Sequence, residues 1–178
     1  MAVAEAGDVR LTLVLGGARS GKSRYAESLI TACAPPWIYV ATAQACDDEM
    51  AQRILAHRAR RIAGWQTIEA PHDLAGALAA APAQAPLLVD CVTLWLSNRM
   101  LADADLDAEI VRLEDALAGH TGIVVLVSNE VGYGIVPDNA LARRFRDAQG
   151  RVNQRLAARA DRVTLVVAGL PLVVKGNP

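Results

Sequence analysis

The stretch Gly16-Gly17-Ala18-Arg19-Ser20-Gly21-Lys22-Ser23 decides the fold. It fits the pattern G-x-x-x-x-G-K-[ST], and its surroundings are those the pattern requires. An apolar run at residues 11–15 reads as a strand, and a helical pattern begins at Ser23. Glycines in such a loop let backbone N–H groups turn toward a polyphosphate. Lys22 supplies a point charge for the β- and γ-phosphates, and Ser23 offers a hydroxyl to Mg²⁺. A glycine-rich turn with a chance Lys-Ser is the bland alternative, and the flanking strand and helix argue against it.

Outward from the loop, apolar runs alternate with helical patterns. A helix over 23–33 stops at Pro35-Pro36, and 37–41 reads as a second strand. Asp47-Asp48-Glu49 opens a helix reaching about Arg61, its acidic residues complementing the helix dipole. Gly64 breaks that pattern before a short strand at 65–69. Further on come an Ala-rich helix from Asp73 to about Ala81, a strand at 87–90, helices at 93–101 and 105–118, and a strand at 122–128. A long helix begins at Pro137-Asp138-Asn139 and reaches about Ala160, with Leu141, Phe145, Ala148, Val152 and Leu156 as its apolar stripe. Strands at 163–168 and 172–175 close the chain. This order predicts an α/β fold: a mostly parallel sheet flanked by helices, with an antiparallel C-terminal strand.

The 178 residues suit a single nucleotide-binding domain spanning 1–178, with 1–10 as a flexible tail. Hydrophobic residues make up 53% of the chain and aromatic ones only 4%, which predicts the aliphatic core of buried parallel strands. A formal charge of −1 argues against a general nucleic-acid partner. No run approaches a membrane span, and the leading residues carry Glu5, Asp8 and Arg10 rather than a signal peptide. Cys33, Cys46 and Cys91 lack metal-type spacing, so a reduced, cytoplasmic location is expected.

Asp90 ends the apolar run 87–89. An acid there is where P-loop proteins hold Mg²⁺, the competing reading being a strand-end cap. His57 stands among Arg53, Arg58, Arg60 and Arg61. Guanidinium groups attract phosphates and also lower a neighbouring histidine pKa, keeping the imidazole neutral and able to attack phosphorus. A surface histidine among solvated arginines is the competing reading. Thr42-Ala43-Gln44 follows the second strand beside the P-loop, as a phosphate or base contact or a plain turn. Glu69 ends the third strand, facing ribose hydroxyls or water. Ser128-Asn129-Glu130-Val131-Gly132 closes the fifth strand at the same edge, a segment suited to close approach. His72 and His120 read as ordinary turn residues, and the arginines of the long helix as a solvated face or as a phosphate-facing or subunit-facing one.

Several segments together resemble one family. They are 16–23, Tyr-Val-Ala-Thr-Ala-Gln (39–44), Asp-Asp-Glu-Met-Ala-Gln-Arg-Ile (47–54), His57-Arg58, Trp-Gln-Thr-Ile-Glu (65–69), Asp-Cys-Val-Thr-Leu-Trp-Leu-Ser-Asn (90–98), Ser-Asn-Glu-Val-Gly-Tyr-Gly-Ile-Val-Pro (128–137) and Arg-Phe-Arg-Asp-Ala-Gln-Gly-Arg-Val-Asn-Gln (144–154). From about residue 11 to about 175 the chain resembles the bifunctional adenosylcobinamide kinase / adenosylcobinamide-phosphate guanylyltransferases of cobalamin biosynthesis. The resemblance implies a RecA-like P-loop NTPase fold and a homotrimer. It implies phosphorylation of adenosylcobinamide by ATP or GTP, then transfer of GMP from GTP to adenosylcobinamide phosphate through a guanylylated histidine, releasing pyrophosphate. It makes His57 that histidine and Lys22 its catalytic companion. It assigns nucleotide contacts to Gly16, Gly17, Ala18, Arg19, Ser20, Gly21, Lys22, Ser23, Thr42, Ala43, Gln44, Arg58, Ala59, Arg60, Arg61, Glu69 and Asp90, with Ser23 and Asp90 on Mg²⁺. Ile62, Tyr133 and Ala56 depart from residues common in the family (Pro, Met and His), and none is a named catalytic group. Two other readings remain: a P-loop kinase for another small alcohol without nucleotidyl transfer, and a nucleotide-gated binding module.

Overall fold

The computed structural model describes residues 9–45, 48, 52, 55, 59 and 61–177. Its strands are β1 (Leu11–Gly16), β2 (Trp37–Ala41), β3 (Trp65–Glu69), β4 (Leu87–Asp90), β5 (Val124–Asn129), β6 (Arg162–Val167) and β7 (Leu170–Lys175). They form one sheet in the order β3-β2-β4-β5-β1-β6-β7. All neighbours run parallel except β6 and β7, which pair antiparallel. The helices with described bounds are α1 (Lys22–Thr31), α2 (Leu74–Ala80), α3 (Val92–Leu101), α4 (Leu106–Gly119) and α5 (Ala140–Arg159). Asp48, Gln52, Leu55 and Ala59 are also helical, within the helix expected at 47–61.

The strands are apolar in runs because both faces of the sheet are covered. Successive side chains alternate between faces. On β5, Val124 and Leu126 join the core beneath α2 to α5, while Val125 and Val127 join the smaller core beneath α1. Leu87 and Val89 of β4 divide from Leu88 in the same way, as do Ile38 and Val40 of β2 from Trp37 and Tyr39. Leu13, Leu88 and Leu126 are wholly buried, each contributing about 1.5–3 kcal/mol of transfer free energy.

Helix starts follow the side chains available to cap them. Asp73, Asp105 and Asn139 accept hydrogen bonds from the first-turn N–H groups of Gly76, of Asp107 and Ala108, and of Ala142. Each such cap is worth about 1 kcal/mol. The turn between β6 and β7 is left-handed at Ala168 and Gly169 (φ +52° and +82°), the backbone that lets a two-residue hairpin follow the strand twist.

Three sequence expectations change. In α5, Leu141 is 53% exposed, whereas Gln149 and Asn153 are buried, because those two hydrogen-bond to Ser128 on the facing strand and to each other. The basic face of α5 is not simply solvated: Arg155 forks onto Glu114 at 2.8 and 2.7 Å, and Arg159 reaches the same carboxylate at 3.0 Å. His120, read as an ordinary turn residue, is buried, its Nε2 lying 2.9 Å from the Ala85 carbonyl oxygen.

The hydrogen bonds from Arg155, then those from Arg159, hold the Glu114 carboxyl below the ordinary 4.5, against its burial. A lowered folded-state pKa stabilises the fold above the unfolded value, and that contribution is lost as pH falls through the folded one. Glu114→Ala is therefore expected to cost about 2 kcal/mol in chemical denaturation at pH 7, on the scale of lost hydrogen bonds to a charged group. The difference should shrink as pH falls below 4.5. A cost that does not change down to pH 3 would contradict this role.

Candidate active site

The carboxyl ends of β1, β5, β4, β2 and β3 lie along one edge, where ligands of open α/β sheets bind. The loop 16–23 leaves β1 there and turns into α1. Gly16 has no room for a side chain: a Cβ would stand 2.4 Å from Ser20 Oγ and 2.8 Å from the Val166 carbonyl oxygen. Gly21 caps α1 with φ +93°, a backbone that glycine adopts without strain. Arg19 is also left-handed, at φ +55°. The loop is pinned from behind, since Gly169 N–H donates to the Ser20 carbonyl at 2.8 Å. Ala18 and Arg19 are exposed at its tip. Ser20 Oγ is buried without a hydrogen-bond partner among the described residues.

Lys22 is the first residue of α1, and its ammonium donates to the Gly17 carbonyl at 3.0 Å, folding across the loop. Burial lowers its pKa from the ordinary 10.5, opposed by Cys91 and Asp90. Ser23, one residue on, is half-buried. Asp90 closes β4 with one carboxylate oxygen accepting from the Tyr39 hydroxyl at 2.8 Å. Burial, then the neighbouring Asp90 charge, raises the Tyr39 pKa, so the phenol stays a donor. The Arg61 guanidinium lies over the Tyr39 ring at 3.4 Å from its centroid and donates to Thr67 Oγ1 at 3.0 Å. Arg61, Tyr39 and Asp90 thus form a connected chain that runs from the end of the 47–61 segment to the β4 carboxylate. A cation over an aromatic face contributes about 0.5–2 kcal/mol.

Thr42 is wholly buried and its hydroxyl is spent on the backbone, accepting from Cys91 N–H at 2.8 Å and donating to the Cys91 carbonyl at 2.7 Å. Asn98 ties the same turn down by donating to the Thr42 and Pro71 carbonyls. Gln44 is exposed and its amide donates to His72 Nε2 at 3.3 Å, giving His72 a partner at the sheet edge. Ala43, between them, is half-buried. Glu69 ends β3, level with Ala41 of β2. Four strand spacings separate β3 from β1, about 19 Å in all. Glu69 therefore cannot share a phosphate with Lys22. Ala59 is helical and exposed, while His57, Arg58 and Arg60 lie outside the described residues, as does Cys46. Burial raises the Cys91 thiol to about 12, which keeps it un-ionised at neutral pH.

Sequence reasoning missed Tyr39. Tyr39 passes for strand filling, and only the strand order brings its hydroxyl to Asp90. Mg²⁺ fits the donors present. It takes one or two carboxylates or hydroxyls and completes its shell with phosphates and water. Asp90 and Ser23 offer hard oxygen donors of that kind, and no cluster of three His, Cys, Asp or Glu side chains exists among the described residues.

Comparison with solved structures supports the architecture. The flagellar accessory protein FlaH of Methanocaldococcus jannaschii matches 94% of this chain and 79% of its own at TM-score 0.53 and 13% identity. A type III secretion ATPase of pathogenic bacteria matches 92% of this chain and 56% of its own at TM-score 0.53 and 11% identity. Likeness at this identity speaks for the RecA-like P-loop fold alone. Closer similarity is found in sequence. The bifunctional adenosylcobalamin biosynthesis protein CobP of Pseudomonas aeruginosa is 51% identical, with 93% of this chain and 98% of that protein covered. The CobU proteins of Salmonella typhimurium and Escherichia coli are 47% and 44% identical, each with 93% of this chain and 99% of theirs covered. A family model described as cobinamide kinase / cobinamide phosphate guanyltransferase matches residues 12–174. The chain belongs to the cobinamide kinase / cobinamide phosphate guanyltransferase family.

Proposed function

We propose that this enzyme carries out both family reactions at the edge formed by β1, β5 and β4: phosphorylation of adenosylcobinamide, then GMP transfer from GTP onto adenosylcobinamide phosphate. The observation that carries the reading is the convergence of Lys22 and Asp90 on one carboxyl edge, where the Asp90 charge opposes the lowering of the lysine pKa by burial. A cation and a metal-type carboxylate on one edge of the sheet suit a triphosphate.

In the first reaction, the loop N–H groups and Lys22 hold the ATP or GTP phosphates. The acceptor hydroxyl oxygen bonds to the γ-phosphorus as the bond to the β-phosphate oxygen breaks. The electron pair leaves with the nucleoside diphosphate, and the hydroxyl proton passes to water. Lys22 stabilises charge building on the leaving phosphate. In the second reaction, neutral His57 attacks the α-phosphorus of GTP and pyrophosphate departs; the acceptor phosphate then displaces the histidine. Arg58, Arg60 and Arg61 hold phosphate oxygens beside it, with Arg61 anchored on Tyr39. Thr42, Ala43, Gln44 and Glu69 attend the nucleoside end, Thr42 through its backbone. Ser23 and Asp90 would hold Mg²⁺, which when bound would neutralise phosphate charge. The reading includes a cytoplasmic homotrimer, and no helix among the described residues is long and apolar enough to cross a membrane.

The test is acceptor dependence. Nucleoside diphosphate release from the Mg²⁺-triphosphate should rise at least about tenfold with adenosylcobinamide present, with phosphorylated corrinoid appearing in equal amount. Diphosphate release that ignores the corrinoid would favour a nucleotide-gated module and count against the reading.

A further inference from the structure

The chain around Asp90 is held from the β2 side, both along its backbone and at the tip of the carboxylate. Thr42 N–H donates to the Asp90 carbonyl at 3.3 Å, and the Thr42 hydroxyl accepts from Cys91 N–H at 2.8 Å and donates to the Cys91 carbonyl at 2.7 Å. The tip is held by Tyr39, whose hydroxyl donates to Asp90 Oδ2 at 2.8 Å. Tyr39 pairs in register with Leu88, and Asp90 stands two residues further along β4. Tyr39 and Leu88 join the core beneath α1, and alternation puts Asp90 on the same face. The bond therefore crosses one strand spacing and two residues of rise, about 5 Å by 7 Å. Long aromatic side chains reach such diagonal neighbours, and a serine or threonine hydroxyl does not.

The ring is clamped as well. Tyr39 is buried. Trp65 meets it edge-on at 5.8 Å between centroids, and the Arg61 guanidinium covers one face at 3.4 Å from the centroid. Packing on two sides fixes the phenol oxygen, so the hydroxyl sets the plane of the carboxylate rather than following it. A carboxylate has about four lone-pair sites, and one accepted hydrogen bond orients it without exhausting it. Carboxylates that ligate metals depend on such outer partners, whose loss costs about 10–100-fold in metal affinity.

We infer that Tyr39 is a positioning residue for Mg²⁺: its hydroxyl aims the Asp90 carboxylate at the metal that accompanies the triphosphate. The inference rests on the proposal that Asp90 holds Mg²⁺ beside residues 16–23. Equilibrium binding of ATP, with Mg²⁺ and with the metal chelated, tests it without any corrinoid.

In Tyr39→Phe the gain in ATP affinity given by Mg²⁺ should fall about tenfold, with metal-free ATP affinity within about twofold of wild type. The ring remains for Arg61 and Trp65 to pack on, so only the hydroxyl is removed. Tyr39→Met keeps apolar bulk without ring or hydroxyl and should lose the Mg²⁺ gain by the same factor. An unchanged gain in Tyr39→Phe, a loss confined to Tyr39→Met, or equal weakening of metal-free and Mg²⁺-bound ATP overturns the inference. Asp90→Asn serves as the reference. If it removes the Mg²⁺ gain while the Tyr39 variants keep it, only this inference fails, and if Asp90→Asn also keeps the gain, the placing of Mg²⁺ at Asp90 fails as well.

Discussion

Replacing His57 by alanine should abolish the covalent enzyme–GMP species while leaving phosphorylation of adenosylcobinamide within about threefold of wild type. The expected loss in guanylyl transfer is about 10⁵-fold or more, the scale on which removing an enzymatic nucleophile acts. The selectivity follows from the chemistry. The kinase step needs the γ-phosphorus, Lys22 and the acceptor hydroxyl, and the histidine takes no part in it. GMP transfer needs a neutral ring nitrogen to bond to the α-phosphorus. The label from α-labelled GTP should be acid-labile and base-stable on wild type and missing on His57→Ala. A surface histidine among solvated arginines predicts equal labelling of both proteins.

Lys22→Ala is expected to reduce both reactions, by about 10³-fold each in kcat/KM. The ammonium sits on the first turn of α1 and already reaches across the loop to the Gly17 carbonyl. In the reaction it would exchange that oxygen for phosphate oxygens. It stabilises the diphosphate leaving in one reaction and the pyrophosphate leaving in the other. Lys22→Arg should not rescue, because a planar guanidinium does not replace a compact point charge in a loop this close. Steady-state kinetics on the two reactions separately is the measurement. Loss of only one reaction would mean that the nucleotide of the other is held elsewhere.

The parts of this fold written in local pattern were readable before the structure. β2 and β4 begin and end at the residues their apolar runs suggest, because a strand buried on both faces has no reason to interrupt its run. The P-loop was readable because its glycines answer a local steric demand at Gly16 and Gly21. Asp90 was readable as the one charge closing such a run. What escaped depends on strand order, which joins residues far apart in the chain. Tyr39 and Asp90 meet only because β2 and β4 are neighbours. The periodicity of α5 misjudged Leu141, Gln149 and Asn153 for a related reason. Apolar periodicity marks a buried face only where burial is paid in hydrocarbon, and Gln149 and Asn153 are buried by hydrogen bonds to Ser128 instead. The Thr42 hydroxyl joins two backbone segments, a role no spacing announces.

The central claim is that a nucleotide held at this edge passes GMP through His57 to a corrinoid phosphate. The most direct measurement is a single-turnover chase. The protein, labelled from α-labelled GTP and freed of nucleotide, is mixed with adenosylcobinamide phosphate. The account predicts that label leaves the protein and appears as adenosylcobinamide-GDP in equal amount. Label that stays on the protein, or departs as free GMP with no corrinoid product, would contradict it.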